Sequence, residues 1–233
     1  MNPFALKLRR LQKASPKAVY TFRQRVKRLR AYLEVYTFPA APPVEPALDA
    51  LYRSAGRLRR ARLNLQYAQK WAPALIKAAK KRLRKRKKAF QSQYRELKPA
   101  IRKTLHDWKK RFPLPSTFEE QPFWQGQVEA WLQSVRARLE AFPAPPYSPD
   151  QAHELRRLLR SWEKAAECYP FSEVPPPKLT RALGRARDIF LFLQWAEKKG
   201  LDPKHLAQIQ SRYEKWHAKA LSSWWTWRSG WGS

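Results

Sequence analysis

Four proline clusters limit what this chain can build. PAAPPVEP (39–46), PLPS (113–116), PAPPYSP (143–149) and PPP (175–177) cannot lie inside regular helices. Proline lacks the amide proton that a helix interior needs, and its ring collides with the preceding turn. Between the clusters the apolar spacing is helical throughout. Val19, Phe22, Val26, Leu29, Leu33 and Tyr36 alternate steps of three and four, which places them on one face. Leu48, Leu51, Ala55, Leu58 and Leu65 continue the pattern after the first cluster.

A long basic helix is expected over 73–111, with Pro73 in its first turn and Pro99 kinking or dividing it. Further helices fit 118–141, where Phe123, Val128, Trp131, Leu132, Val135 and Leu139 form the apolar face, and then 149–168, 178–198 and 203–227. Ser148-Pro149-Asp150 offers capping chemistry to the first of the last three. Asp202-Pro203 offers an N-cap and a first-turn proline to the last. Only 6 glycines occur, and little β-branched alternation, so the reading is all-α.

The helices recur. Aligning Tyr20 with His153 brings Arg23 onto Arg156 and Lys27 onto Arg160, with Phe22, Val26 and Leu29 on Leu155, Leu159 and Trp162. In the next helix LYRSAGRLRRARLNLQ (51–66) resembles KLTRALGRARDIFLFLQ (178–194), pairing Gly56 with Gly184, Arg57 with Arg185 and Arg59 with Arg187. Two helix pairs in the same order imply internal duplication. The expectation is one domain over 1–233, with a first helical half at about 15–112 and a second at about 118–228, related by a pseudo-two-fold axis.

The charge is extreme. Lys and Arg number 49 against 18 Asp and Glu, a formal net charge of +31. Folding gains nothing from such self-repulsion, which points to a polyanionic partner or an anionic surface. The 43% of hydrophobic residues suffices for a core, so the charge does not imply disorder. Residues 1–111 carry 32 basic and 5 acidic side chains, net +27, whereas 112–233 carry 17 and 13, net +4.

The basic residues are ordered on the helices. Arg23, Lys27 and Arg30 each follow an apolar position by one step, about 100° of rotation, so they edge the buried face as a ladder with rungs about 5.4 Å apart. Arg156 and Arg160 repeat it, and Glu163 stands at the third rung. The densest run, KKRLRKRKKAF (80–90), surrounds its helix with charge; Arg82, Lys85 and Arg86 are its candidates for a shared groove. A solvated surface is the bland alternative for all of these, as is a nuclear-targeting or unspecific nucleic-acid tract for the run.

These motifs resemble the CHAD family, the conserved-histidine α-helical domain. VYTFRQRVKRLRAYLEVY is similar to its opening helix, HELRRLLRSWEKAAE to the counterpart in the second half, and ALGRARDIFLFLQ to the helix that follows. The resemblance spans roughly residues 15–220. It implies two pseudo-symmetric helical bundles and a basic central groove or pore that binds inorganic polyphosphate, with targeting to polyphosphate granules in some members. Arg23, Lys27, Arg30, Arg57 and Arg59 would line one wall, and His153, Arg156, Arg160, Arg185 and Arg187 the other. The chain departs from the pattern where the first-half histidine falls on Tyr20, the third basic rung on Glu163, and the Asp of Arg187-Asp188 on Arg60.

Other chemistry has little footing. No GxxxxGK loop, no Ser-His-Asp set and no Glu-x-Glu-x-Lys strand occurs, and the acidic residues are scattered, so neither an enzyme nor a metal or other cofactor is expected. Cys168, the sole cysteine, excludes an internal disulfide and reads as structural. His153 lacks a partner at metal-ligand spacing and reads as a groove-edge hydrogen-bonding residue. No apolar run is long enough to span a membrane and no signal peptide opens the chain, so a cytoplasmic setting is expected. Five of the 11 Trp lie in WHAKALSSWWTWRSGWGS, read as packing of the last helix, with an interfacial or partner contact as the alternative. An RNA-binding helical protein is the first rival reading, since Tyr and Trp could stack bases; a polyphosphate-processing enzyme and an anionic-membrane adaptor are the others.

Overall fold

The computed structural model describes residues 2–114, 122–169, 171 and 173–230, excluding the side chains of Pro122 and Phe123. Seven α-helices and no strand occur among them: α1 (Pro16–Thr37), α2 (Pro46–Trp71), α3 (Ile76–Arg111), α4 (Pro122–Glu140), α5 (Pro149–Ala165), α6 (Pro177–Glu197) and α7 (Pro203–Ser229). Short 3-10 turns cover Leu8–Leu11 and Pro73–Leu75. The protein is all-α, and no described helix is long and apolar enough to cross a membrane.

The helix ends follow the cap chemistry. Ser15 accepts the Ala18 amide at 3.2 Å ahead of Pro16. Ser148 and Gln151 form a reciprocal capping box, at 2.8 and 3.1 Å, that opens α5. Asp202 accepts the His205 amide at 3.0 Å, with Pro203 in the first turn of α7. Gly200, at φ 70°, supplies the left-handed residue that closes α6, and the Leu201 amide reaches back to the Ala196 carbonyl at 3.1 Å.

Three boundaries differ from expectation. Pro73 lies in a 3-10 turn ahead of α3, not inside it. Pro99 does not divide α3; both Pro99 and Arg95 are exposed, so the carbonyl that loses its helical partner can bond water. Helix α5 stops at Ala165, where the chain turns and Tyr169 swings inward to stack on Tyr32, with ring centroids 5.6 Å apart. Residues 118–121 of the helix expected over 118–141 lie outside the described residues, as do Pro115 and Ser116.

The chain forms two compact units, each gathered from three stretches. Unit 1 comprises Met1–Arg59, Arg84–Glu140 and Ser161–Ser172. Its core holds Phe22, Val26, Leu29, Leu51, Leu58, Phe90, Trp131 and Trp162, all nearly fully buried. A charged triad also sits in this unit. Arg28 Nε donates to Glu167 Oε2 at 2.5 Å, a second Arg28 N–H reaches the same oxygen, and the buried Lys164 donates to Oε1. Burial would raise the Glu167 carboxyl, but the hydrogen bonds from Lys164 and Arg28 outweigh it and hold it below the usual range.

Unit 2 comprises Arg60–Leu83, Ala141–Arg160 and Glu173–Ser233. Its α6–α7 hairpin packs Ile189, Phe192, Trp195, Ile209 and Tyr213 around Ala68, Ala72 and Ala79. The tryptophan-rich end serves this packing: Trp224 is buried and its Nε1 donates to the Tyr147 hydroxyl at 2.9 Å. Trp225 is 47% exposed, and Trp231 lies outside the described residues.

Candidate basic site

In unit 1 the ladder on α1 stands where the helical phase requires. Phe22, Val26 and Leu29 are buried, Arg23 and Lys27 are half-buried, and Arg30 is exposed. Arg23 is held in one pose. Its Nη1 donates to the Tyr52 carbonyl at 3.0 Å, its Nη2 to the Tyr52 hydroxyl at 3.4 Å, and its guanidinium lies 4.3 Å from the Tyr52 ring centroid. A Cβ on Gly56 would come within 2.6 Å of Arg23 Nη1, so the missing side chain makes the room.

Arg30 lies 4.4 Å from the same ring centroid and pairs with Asp49 at 2.6 Å. Asp49 also takes Arg53 at 2.8 Å, so this carboxylate moderates the ladder's outer end. Neither Tyr52 nor Asp49 stood out in the sequence. Their spacing from Gly56, four and seven residues back, puts all three on one face of α2 and is the signal that could have found them.

Arg57 is exposed and Arg59 half-buried on the same helix. On α3 the three candidates separate. Lys85 (exposed) and Arg86 (half-buried) belong to unit 1, whereas Arg82 belongs to unit 2, where its guanidinium lies 5.7 Å from the Trp195 ring centroid.

Unit 2 repeats the central contact. Arg156 lies against Gly184, whose absent Cβ would meet Nε at 3.1 Å and Nη2 at 3.2 Å. Leu155 and Leu159 are buried beside half-buried Arg156 and Arg160, and Glu163, which belongs to unit 1, is half-buried. The arginine that the repeat equates with Arg23 thus covers the glycine that the repeat equates with Gly56.

The surroundings differ. Thr180 stands where the alignment places Tyr52, so Arg156 has no tyrosine there. Arg185 instead stacks on Trp216 at 4.3 Å, and Arg187 reaches Asp150 at 3.5 Å and lies 5.6 Å from the Phe190 ring centroid.

His153 is half-buried, and its Nδ1 is buried without a hydrogen-bond partner among the described residues. Burial, followed by Arg187, Arg156 and Arg157, holds the imidazole below its ordinary range, so the neutral ring prevails at neutral pH. It faces a cavity of about 10 Å³ that Arg187, Tyr213 and His217 also line, and His217 Nε2 is similarly buried and unpartnered. That is about the room one water needs. His217 too is held low by burial. Elsewhere, burial pushes the Cys168 thiol up to about 11, so it stays protonated and unreactive at neutral pH. No group of three or more His, Cys, Asp and Glu that could hold a metal occurs among the described residues.

Each unit therefore carries a basic helix face with an arginine guanidinium packed against a glycine. Two aromatic rings at these faces, Tyr52 and Trp216, are covered by guanidinium groups, whereas Tyr20, one turn before Arg23 on α1, is 55% exposed. What the arrangement offers a ligand is N–H donors and positive charge. Comparison with protein-family models, curated proteins and solved structures found no match.

Proposed function

We propose that this chain is a CHAD-like protein that binds inorganic polyphosphate without turning it over, through the basic helix faces its two units carry. The observation that carries the reading is the recurrence of Arg23 over Gly56 as Arg156 over Gly184. Two contacts of this kind, at positions the internal repeat equates, support a common purpose better than a scatter of solvated charges does. Arginine presents a planar fork to phosphate oxygens and lysine a point charge, so the mixed ladder suits a flexible phosphate chain. The +31 charge supplies the long-range attraction.

Nucleic acid is the competitor; the covered rings of Tyr52 and Trp216 weigh against it, while Tyr20, 55% exposed, is an open ring beside the ladder. Base recognition on single strands relies on open aromatic faces. Tyr52 and Trp216 hold arginines at stacking distance instead. A polyphosphate chain has no bases to stack and loses nothing by this. Such a protein would work in the cytoplasm and would follow polyphosphate into granules.

Calorimetric titration with long-chain polyphosphate, run beside single-stranded RNA at matched phosphate concentration and at about 50 and 200 mM salt, tests the reading. The expected result is tighter polyphosphate binding that weakens as salt rises, because each neutralised phosphate releases counterions. RNA binding that equals or exceeds it would sink the polyphosphate assignment.

A further inference from the structure

The amino-terminal segment builds a pocket apart from the ladders. Residues 2–14 fold back onto unit 1, burying Phe4, Leu6, Leu8, Leu11 and Ala14. Arg25 donates to the Ala5 carbonyl at 2.5 Å and Gln91 to the Gln12 carbonyl at 3.2 Å, which tie the segment down. Two residues without glycine's freedom, Lys7 at φ 51° and Ala14 at φ 48°, hold left-handed backbone on either side of the Leu8–Leu11 turn.

The cavity between this segment and the start of α1 measures about 470 Å³, within the range of roughly 300–1,000 Å³ common for small-molecule sites. Five cations line it: Lys7, Arg9, Arg10, Lys13 and Lys17. No carboxylate is among the lining residues, and the side chains of these five form no salt bridge with the described residues. Gln12, Ser15 and Thr21 add hydrogen-bonding groups, and half-buried Ala18 stands over the buried Leu6 and Phe22.

The pocket is not the ladder seen from another angle. At about 100° per residue, Lys17, Ala18 and Thr21 centre roughly 160° around α1 from Arg23, Lys27 and Arg30. Local repulsion is also felt beyond the lining. Arg25 is held below its ordinary range by burial first and then by the charges of Arg28 and Arg10.

We propose that this pocket binds a small, multiply phosphorylated organic molecule of the nucleoside-triphosphate class. Five cations in so small a space match a ligand of high charge density, and the two arginines can grip tetrahedral oxyanions bidentately. Ala18 and the aliphatic stems of the lysines and arginines give an organic group an apolar surface that a bare phosphate chain cannot use.

The test is calorimetric titration of the full chain with ATP and, separately, with inorganic tripolyphosphate, both without divalent metal. Three proteins are compared: the native chain, Arg9→Gln/Arg10→Gln/Lys13→Gln, and the charge-matched control Arg84→Gln/Lys87→Gln/Lys88→Gln on α3. All six replaced side chains are exposed, and circular dichroism checks that the helices persist. The expected result is one ATP per chain, bound several-fold more tightly than tripolyphosphate, with about a tenfold loss in the pocket variant and little loss in the control. Tripolyphosphate binding as tightly as ATP, no loss in the pocket variant, or an equal loss in the control would each overturn the proposal. Long-chain polyphosphate need not bind for this result to stand, so the fates of the two proposals are separable.

Discussion

The two units meet the problem of holding an arginine at a helix edge with the same first step and different second steps. In both, a glycine leaves room for a flat guanidinium. Unit 1 then adds Tyr52, which fixes Arg23 through its carbonyl, hydroxyl and ring and holds Arg30 on the same ring. Unit 2 has Thr180 at that place and turns to other partners, with Trp216 under Arg185 and a neutral His153 beside Arg187. A rigidly posed cation loses less side-chain entropy when it meets an anion. Unit 1 should therefore contribute the larger share of polyphosphate affinity through the pose of its arginines, because the net charges of the two units, +17 and +14, are nearly equal.

Removing the ladders gives the widest separation. Arg23→Ala/Lys27→Ala/Arg30→Ala should weaken polyphosphate binding about 100-fold, and Arg156→Ala/Arg160→Ala about tenfold, as charge-assisted hydrogen bonds are lost. Titration calorimetry reads both, and equal losses would erase the distinction between the units. Helical content should persist in each variant, because the replaced groups edge the core without filling it.

The glycines sharpen the same comparison. In Gly56→Ala the new methyl group needs the place of Arg23 Nη1, 2.6 Å away, so the guanidinium must leave Tyr52. In Gly184→Ala the nearest atom lies at 3.1 Å and a small shift of Arg156 suffices. Affinity should fall about tenfold in the first and about twofold in the second. Thermal stability should not fall, since replacing a helical glycine gains about 0.8–1 kcal/mol of propensity. A greater affinity loss in Gly184→Ala would reverse the ranking.

Restoring the third rung has a smaller effect. Glu163→Arg should tighten polyphosphate binding a few-fold and steepen its salt dependence by about 0.7–0.9 in log–log slope, the contribution of one more neutralised phosphate. An unchanged slope would mean that this position lies off the ligand's path.

Acid should separate the units by stability. His153 and His217 have folded values below the ordinary imidazole value of 6.5, so the unfolded chain takes up their protons first. Their contribution is whole above 6.5 and is lost as pH falls from there through the folded values. Glu167 is depressed from 4.5, so its contribution in unit 1 is whole above 4.5 and is lost only at lower pH. Hydrogen exchange, corrected for intrinsic rates, should show α6–α7 losing protection as pH falls below 6.5 while α1 keeps it down to 4.5. Simultaneous loss would show that these groups do not set the order.

Much of this was legible in the residues. Proline clusters and apolar steps located all seven helices, and Ser148, Asp202 and Pro203 cap as their chemistry requires. The positions expected to be buried beside the ladders, Phe22, Val26, Leu29, Leu155, Leu159 and Trp162, are buried. What escaped depends on partners distant in sequence. Tyr52 gains meaning only beneath Arg23, Trp216 only beneath Arg185, and Glu167 only between Arg28 and Lys164. The interleaving of the units follows from which stretches pack together, which no local pattern encodes. The amino-terminal pocket was hidden for a different reason, because Lys7 and Ala14 turn the chain without the glycines that announce left-handed backbone.

The most direct test of the central claim combines both ladders in one variant, Arg23→Ala/Lys27→Ala/Arg30→Ala/Arg156→Ala/Arg160→Ala, titrated with long-chain polyphosphate at several salt concentrations. The account predicts a folded protein whose residual binding is weak and whose salt dependence is flatter by roughly 3.5 to 4.5 units of slope. A variant that keeps native affinity and native slope would contradict it, and would return the ladders to solvated helix surface.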